Sequence, residues 1–347
     1  MSLIPTTLTL FTLSICSIAG ALAVYFINKK EEDEEEEFVK VGKVESLYIY
    51  PVKSMRGISV PYIECTRTGA KYNEIKDRSF MIIDKKTSTY VGAKKERKLV
   101  LIEPSIEYDH LSSSYVLQLT VNNNSVKVNL NDVINNAHVI KFIKLFDDET
   151  CDGYDCGDEV SEFIKSFLDT DKDYRLMYHS DSLFNQRHSV VGAKYSNTDV
   201  DQGPHEIKYH DDAPYNLLSK ESLDDLNKRY DGQIYMDNQR FRPTIFVSDT
   251  NKPYDEDYWK TIQISTIELK QIKPCTRCIM TTIDPLTGEK HPNMEPLREL
   301  RKYRLAEGRI AKTYNISPVF GVHFCIKNGG IIKVGDDVYG SYKKIPF

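Results

Sequence analysis

Short segments rich in β-branched and aromatic residues dominate the sequence from Val41 onward, and turn residues such as Asn122 to Asn124 separate them. This composition and spacing are typical of strands, and their close succession predicts a barrel or a tightly curved sheet. The predicted strands lie at 41–54, 58–66, 79–84, 98–103, 114–121, 126–130, 244–248, 261–272 and within 319–339.

Three helices are expected beside these strands. In Asp158 to Leu168 the apolar residues fall on one helical face, and Asp158 can cap the start. A second helix is predicted from Ser219 to Arg229 with Ser219 as its cap, and a third from Pro296 to about Leu305. The sequence therefore predicts a β-dominated α+β fold with peripheral helices. A polar, aperiodic stretch divides it into regions 41–180 and 185–343.

The N-terminus carries no charge from Met1 to Asn28. Because a bilayer is crossed by about 20 apolar residues, we predict a transmembrane anchor at 1–28. A cleaved signal peptide is the alternative, although it ordinarily has a positive n-region that is missing here. Residues 29–40 contain the run Glu31 to Glu37, and we interpret them as a self-repelling acidic linker.

The remaining charge is balanced. Seven of the 51 acids lie in Glu31 to Glu37 and two of the 46 bases precede Phe38, so 44 of each remain in 38–347. A neutral body argues against a nucleic-acid partner. The seven cysteines are irregularly spaced in a large protein, which favours a reducing compartment over a disulfide framework.

Cys275 and Cys278 form a pair with four possible roles. The β-branched run after Cys278 and the turn Asp284 to Gly288 predict a strand and hairpin, whereas a redox dithiol is usually placed at a helix N-terminus. A structural zinc site needs four ligands, and no second pair of this spacing is present. Two buried structural cysteines remain possible. So does one thiolate bound to a soft metal that brings its other ligands.

A metal carried by an anionic cofactor would need cations, and several stand in compact motifs. Lys53 lies in YPVKSMRG, Arg78 in KDRSF and Arg242 in RFRP, while Arg277 precedes Cys278. The planar arginine fork suits phosphate. Each residue alone would more often be an ordinary surface cation.

Taken in order, these motifs resemble the MOSC family, and within it the mitochondrial amidoxime-reducing enzymes. The resemblance covers Val41 to Gly340 and is strongest in CTRCIMTTIDPLTG. It implies an N-terminal β-barrel-like region over 41–180 packed on a MOSC β-barrel core over 185–343.

The resemblance also implies a molybdenum cofactor, Mo-molybdopterin, and a set of site residues. Cys278 matches the family's metal-binding, catalytic cysteine. The implied cofactor-binding residues are Lys53, Ser54, Arg78, Asp212, Arg242, Thr276 and Arg277. The chain departs from the family at His210 to Pro214, where relatives have a Ser-Asp-Ala-Ser-Pro loop. A carboxylate there is unfavourable beside a phosphate unless it pairs with a base.

The implied reaction is reduction of N-hydroxylated substrates, such as amidoximes and hydroxylamines, to amidines and amines. Electrons would come from cytochrome b5 and its NADH-dependent reductase, since the sequence has no haem, nucleotide or iron–sulfur motif of its own. The implied location is the mitochondrial outer membrane, with the catalytic domain facing the cytosol. The alternative is a non-redox molybdenum-cofactor or sulfur-carrier module, and no pyridoxal phosphate domain is evident.

Overall fold

Strands far outnumber helices along residues 36–146, 149–189, 200–201 and 203–346, which are those that the computed structural model describes. The strands are β1 Val39–Ile49, β2 Ile58–Val60, β3 Tyr62–Thr66, β4 Gly69–Tyr72, β5 Ile75–Lys76, β6 Phe80–Asp84, β7 Thr89–Val91, β8 Glu103–Asp109, β9 Ser114–Val121, β10 Asn124–Asn129, β11 Val139–Phe146, β12 Glu149–Asp155, β13 Tyr174–Tyr178, β14 His188–Ser189, β15 His205–Glu206, β16 Tyr215–Ser219, β17 Ile245–Ser248, β18 Trp259–Ile264, β19 Ile267–Thr276, β20 Val319–Asn328, β21 Gly330–Lys333 and β22 Asp337–Tyr342. The helices are α1 Leu130–Asn136, α2 Asp158–Leu168, α3 Lys220–Lys228, α4 Leu297–Leu300 and α5 Ala311–Tyr314. The β-dominated α+β prediction is confirmed.

The larger sheet closes on itself. Its strands run in the order β17-β16-β20-β19-β18-β22-β1-β2, and β1 also pairs with β17. Apolar side chains from these strands fill the interior, among them Val41, Leu47, Trp259 and Phe324. The N-terminal strand β1 therefore completes a barrel made otherwise of C-terminal strands, apart from the short β2.

A smaller barrel consists of β11-β12-β13-β6-β7. It closes where β11 runs parallel to β7, with Lys144 opposite Thr89. The apolar face of α2, including Val160 and Ile164, packs into a core that also holds Phe80. The two closed barrels thus contain most of the strand residues of the described chain, and the helices lie outside them.

Two predicted helices have the expected positions. The bounds of α2 are confirmed, but its N-cap is Gly157 and Asp158 is not the cap. The Asp158 carboxylate instead pairs with Arg175, 2.6 Å from its Nη1. For α3 the predicted cap is confirmed, because Ser219 Oγ accepts a hydrogen bond from the Ser222 amide at 3.2 Å.

Other local predictions were wrong. Residues 98–103 do not form one strand, because Arg97–Leu101 is a 3₁₀ helix that buries Leu99 and Val100. The third helix, α4, ends at Leu300 rather than near Leu305. There the chain turns toward β20, and the Val319 amide donates to the Arg304 carbonyl at 2.8 Å.

The predicted anchor at 1–28 and most of the acidic linker lie outside the described residues. Across the part of the chain that the structure does describe, we find no helix with the length and apolarity needed to cross a membrane.

Candidate functional site

Cys278 lies two residues beyond β19, at a point that Arg277 fixes. The Arg277 amide donates to the Pro318 carbonyl at 2.8 Å, and its guanidinium donates to the carbonyls of Phe320 at 2.7 Å and Phe241 at 2.8 Å. Gly321 makes room for this side chain, because a Cβ there would lie 3.1 Å from Arg277 Nη2. The chain thereby holds Cys278 at a strand end with its side chain exposed.

The two predicted cysteines have unequal environments. Cys275 is buried in β19, and burial raises the pKa of its thiol to about 11. Both are free thiols. The predicted strand after Cys278 was wrong: Ile279–Thr282 is one turn of 3₁₀ helix, in which Thr281 donates from its amide and hydroxyl to the Cys278 carbonyl. The turn from Asp284 to Gly288 is present, closed by a 2.8 Å backbone hydrogen bond.

Two arginines enclose the ring of Tyr50. The guanidinium carbons of Arg78 and Arg242 lie 4.5 and 4.2 Å from its centroid. Arg78 pairs with Asp77, and Arg242 Nη1 donates to the Met55 carbonyl at 2.6 Å. Arg242 Nη2, however, is buried and has no hydrogen-bond partner among the described residues. Burial, together with the nearby Arg78 charge, lowers the pKa of Arg242 to about 10.

Lys53 is a third cation in the neighbourhood of these two arginines. Lys53 is only 3% exposed, and its Nζ lies 2.6 Å from Asp211 Oδ1. Burial lowers the pKa of Lys53 to about 8, although Asp211 acts in the opposite direction. The next residue, Ser54, shares a 2.6 Å hydrogen bond with the Tyr90 hydroxyl.

Two adjoining cavities bring the predicted site residues together. One, of about 280 Å³, is lined by Arg78, Asp212, Arg242, Thr276, Arg277 and Cys278. The other, of about 250 Å³, is lined by Lys53 and Ser54 and shares Arg78, Arg242 and Cys278 with the first. We call the two together the cleft. All eight residues predicted for the site line it.

Comparison with known proteins identifies the fold family. Residues 41–171 match the MOSC N-terminal beta barrel domain, and residues 204–339 match the MOSC domain. The chain belongs to the MOSC-domain family.

Curated relatives within the MOSC family cover most of the chain. Mitochondrial amidoxime-reducing component 1 from Homo sapiens is 34% identical over 302 residues, which is 86% of this chain and 83% of that protein. The Danio rerio protein of the same name is 34% identical, covering 88% of this chain and 86% of its own length. Mitochondrial amidoxime reducing component 2 from Rattus norvegicus is 31% identical, with 92% and 90% covered.

The loop that departs from the MOSC pattern is electrically balanced in this structure. Asp211 pairs with Lys53, and Asp212 pairs with the buried Lys273. The carboxylates at 211 and 212 therefore each have the basic partner that would make them tolerable near an anion.

The sequence prediction missed His323, which lines the cleft, and Lys273, which pairs with Asp212 on the cleft wall. They are register partners on β20 and β19, and His323 Nε2 lies 3.8 Å from Asp212 Oδ2. Burial lowers the pKa of His323 to about 4, so the ring is neutral near pH 7. Lys273 lies just before the Cys275 and Cys278 pair, whereas His323 lies outside the motifs named above, and only the pairing of the two strands places them side by side.

Proposed function

We propose that this MOSC protein is a molybdenum-cofactor-dependent reductase of N-hydroxylated compounds. The observation that carries the proposal is the meeting, in one cleft, of the exposed Cys278 thiol and the buried Nη2 of Arg242, which has no hydrogen-bond partner in the described ranges. A buried charged donor without a partner is costly. An anion that completes its hydrogen bonds would remove that cost. The curated relatives are named for amidoxime reduction.

The cleft residues divide into roles that fit this cofactor. Cys278 would ligate the metal as a thiolate, and Arg78, Arg242 and Lys53 would oppose the cofactor phosphate. The hydroxyls of Ser54 and Thr276 offer hydrogen bonds. The bound cofactor supplies two-electron redox chemistry, which the side chains cannot provide themselves.

Arg277 and Asp212 have different parts in this arrangement. The guanidinium of Arg277 donates to the Phe320 and Phe241 carbonyls, so we assign it to positioning Cys278. Asp212 pairs with Lys273, and its carboxylate lies on the cleft wall. Any cofactor contact from this loop would come from backbone amides or from a solvent-facing carboxylate oxygen.

The proposed reaction is balanced by two electrons and two protons. An amidoxime would gain both, its N–O bond would break, and the products would be the amidine and water. Because Cys278 is exposed, protons can reach both the nitrogen and the departing oxygen from solvent.

Electrons must be delivered from another protein in this scheme. We propose cytochrome b5, recharged by its NADH-dependent reductase, as the donor. The anchor predicted at 1–28 would hold this protein on the same membrane as cytochrome b5 and its reductase. That would raise the effective concentration of these partners. The names of the relatives point to mitochondria, and we propose the outer membrane with the MOSC domain facing the cytosol.

The test is reduction of benzamidoxime by the cofactor-loaded full chain with NADH, cytochrome b5 and the reductase. We expect benzamidine formation, and we expect Cys278→Ala to reduce it to background. Cys275→Ala is the matched control and should retain most of the activity, since that thiol is buried and protonated. Turnover by Cys278→Ala, or zinc in place of molybdenum, would contradict the proposal.

A further inference from the structure

The cleft is bordered by a cluster of cations that the proposed chemistry does not use. Lys94, Lys95, Arg97 and Lys290 line a separate depression of about 310 Å³ together with Ile279 and Ile283. We call these four cations the cationic ledge. Lys94 and Lys95 also line the cleft beside Cys278, so the ledge is continuous with the site.

The ledge gathers four positive charges on one surface. None of its four cations forms an ion pair with any residue in the described ranges, whereas neighbouring charges are paired. Glu96 lies between them in sequence, yet its carboxylate accepts from Tyr174 at 2.6 Å and pairs with Lys172 at 3.3 Å. On the turn, the exposed Glu289 precedes Lys290, and Asp284 pairs with Arg240. The ledge thus keeps a net positive charge.

The position of the ledge matters because electrons must enter the site close to Cys278. The proposed reaction needs two electrons, and the sequence has no haem, nucleotide or iron–sulfur motif to carry them. Electron transfer slows steeply with distance, so a donor has to dock close to Cys278. Lys94 and Lys95 lie on the wall of the cleft that holds this thiol.

We propose that the cationic ledge is the docking surface for an acidic electron-carrier protein. This inference rests on the proposed function. Exposed, unpaired charges of one sign accelerate and orient encounter with an oppositely charged partner. The partly buried Ile279 and the buried Ile283 give the depression an apolar floor inside the charged rim, as in a protein interface. A one-electron carrier would dock twice for each substrate reduced.

The test uses charge reversal at the two ledge residues that line the depression but not the cleft. Arg97→Glu/Lys290→Glu should lower kcat/KM for reduced cytochrome b5 by about tenfold or more at low salt. It should also weaken binding of oxidised cytochrome b5. Raising the salt concentration should slow the unmodified chain and leave the variant nearly unaffected.

Two controls make the result specific. Lys86→Glu/Lys312→Glu reverses two exposed cations that line neither the cleft nor the depression, and it should behave like the unmodified chain. Benzamidoxime reduction driven by reduced methyl viologen, which needs no protein interface, should change less than about twofold in either variant.

Several outcomes would overturn the docking proposal. One is an equal loss of kcat/KM for cytochrome b5 in both double variants, and another is no such loss in the ledge variant. A third is loss of binding to anionic phospholipid vesicles by the ledge variant while its cytochrome b5 binding stays intact. Absence of viologen-driven turnover in the unmodified chain would instead contradict the proposed function. The docking proposal would then be decided by cytochrome b5 binding alone.

Discussion

Two clusters of buried charge differ in whether they border a cavity. The acid cluster, Asp255, Glu256 and Asp257, is at most 2% exposed, and each carboxylate has partners. Glu256 accepts from the hydroxyls of Ser219 and Ser222, at 2.7 Å from each.

The other two acids are paired as well. Asp255 accepts from the Trp259 indole and the Tyr342 hydroxyl, and Asp257 Oδ2 pairs with Arg304 at 2.6 Å. Asp257 Oδ1 is buried and has no hydrogen-bond partner among the described residues. None of these three acids lines the cleft or the depression beside the cationic ledge.

The cation cluster of the cleft, Lys53, Arg78 and Arg242, is arranged differently. It borders open space and leaves Arg242 Nη2 without a described partner. A buried ion pair that the fold encloses affects mainly stability, whereas an incompletely paired charge at a cavity favours a ligand. We therefore expect substitutions in the acid cluster to change stability, and those in the cation cluster to change cofactor binding.

The largest effect should come from breaking the buried pair in the acid cluster. Arg304→Met leaves Asp257 buried without its cation and should lower the free energy of unfolding by about 3–5 kcal/mol. Chemical denaturation of the cofactor-free chain measures this. Lys220→Met removes a half-exposed pair with Asp224 and should cost at most about 1 kcal/mol. Equal losses in the two variants would contradict the comparison.

Arg242→Met should show the opposite pattern. Loss of about two charge-assisted hydrogen bonds, each of roughly 1.5 kcal/mol, should weaken cofactor retention by about 100-fold. The unfolding free energy of the cofactor-free chain should change by less than about 1 kcal/mol, because an incompletely paired buried charge is removed. Retention is measured as cofactor per chain after dialysis. A large loss of stability with normal retention would reverse the assignment.

The acid cluster should also make stability depend on pH. Burial, and then the Asp257 charge, raise the pKa of Glu256 from 4.5 to about 7. The folded state therefore binds this proton more tightly, and the resulting stability is present below pH 4.5 and lost as pH rises through 7. We expect this group to contribute a fall of roughly 2–3 kcal/mol over that range.

Substitution by glutamine isolates this contribution. Glu256→Gln should abolish that part of the pH dependence, whereas the exposed Glu159→Gln should keep it. Denaturant midpoints measured every half pH unit test the prediction. An unchanged slope in Glu256→Gln would show that Glu256 stays ionised across the range.

The smallest effect should come from the cap that the acid cluster supports. Ser219→Ala removes the N-cap of α3 and one donor to Glu256, and should cost about 1 kcal/mol. Ser166→Ala, an exposed position inside α2, should change stability by less than about 0.5 kcal/mol. Unchanged stability in Ser219→Ala would mean that other donors satisfy both the helix end and Glu256.

Local patterns predicted what local forces determine. The apolar periodicity of α2 and the Ser219 cap of α3 are short-range features, and they were read correctly. The run at 98–103 was misread because a short apolar segment fits a buried 3₁₀ turn as well as a strand. The pairing of β1 with β17 and β22 joins residues about 200 or more positions apart, and nothing in the local sequence of β1 encodes it.

For the site as well, the local sequence predicted which residues take part but not the contacts that they make. Motifs named its eight residues, and they do line one cleft. Their separate roles depend on contacts across strands, such as the donation from Arg277 to the Phe320 carbonyl and the pairing of Asp212 with Lys273. The position of Arg242 Nη2 at the cleft, buried and without a hydrogen-bond partner among the described residues, is visible only in the folded structure.

The most direct test of the central claim is molybdenum and pterin analysis of the purified full chain and its two cysteine variants. The account predicts about one molybdenum per chain, accompanied by pterin, in the unmodified protein and in Cys275→Ala, and loss of the metal in Cys278→Ala. Equal molybdenum in both variants, or none in the unmodified chain loaded under conditions that supply the cofactor, would contradict it.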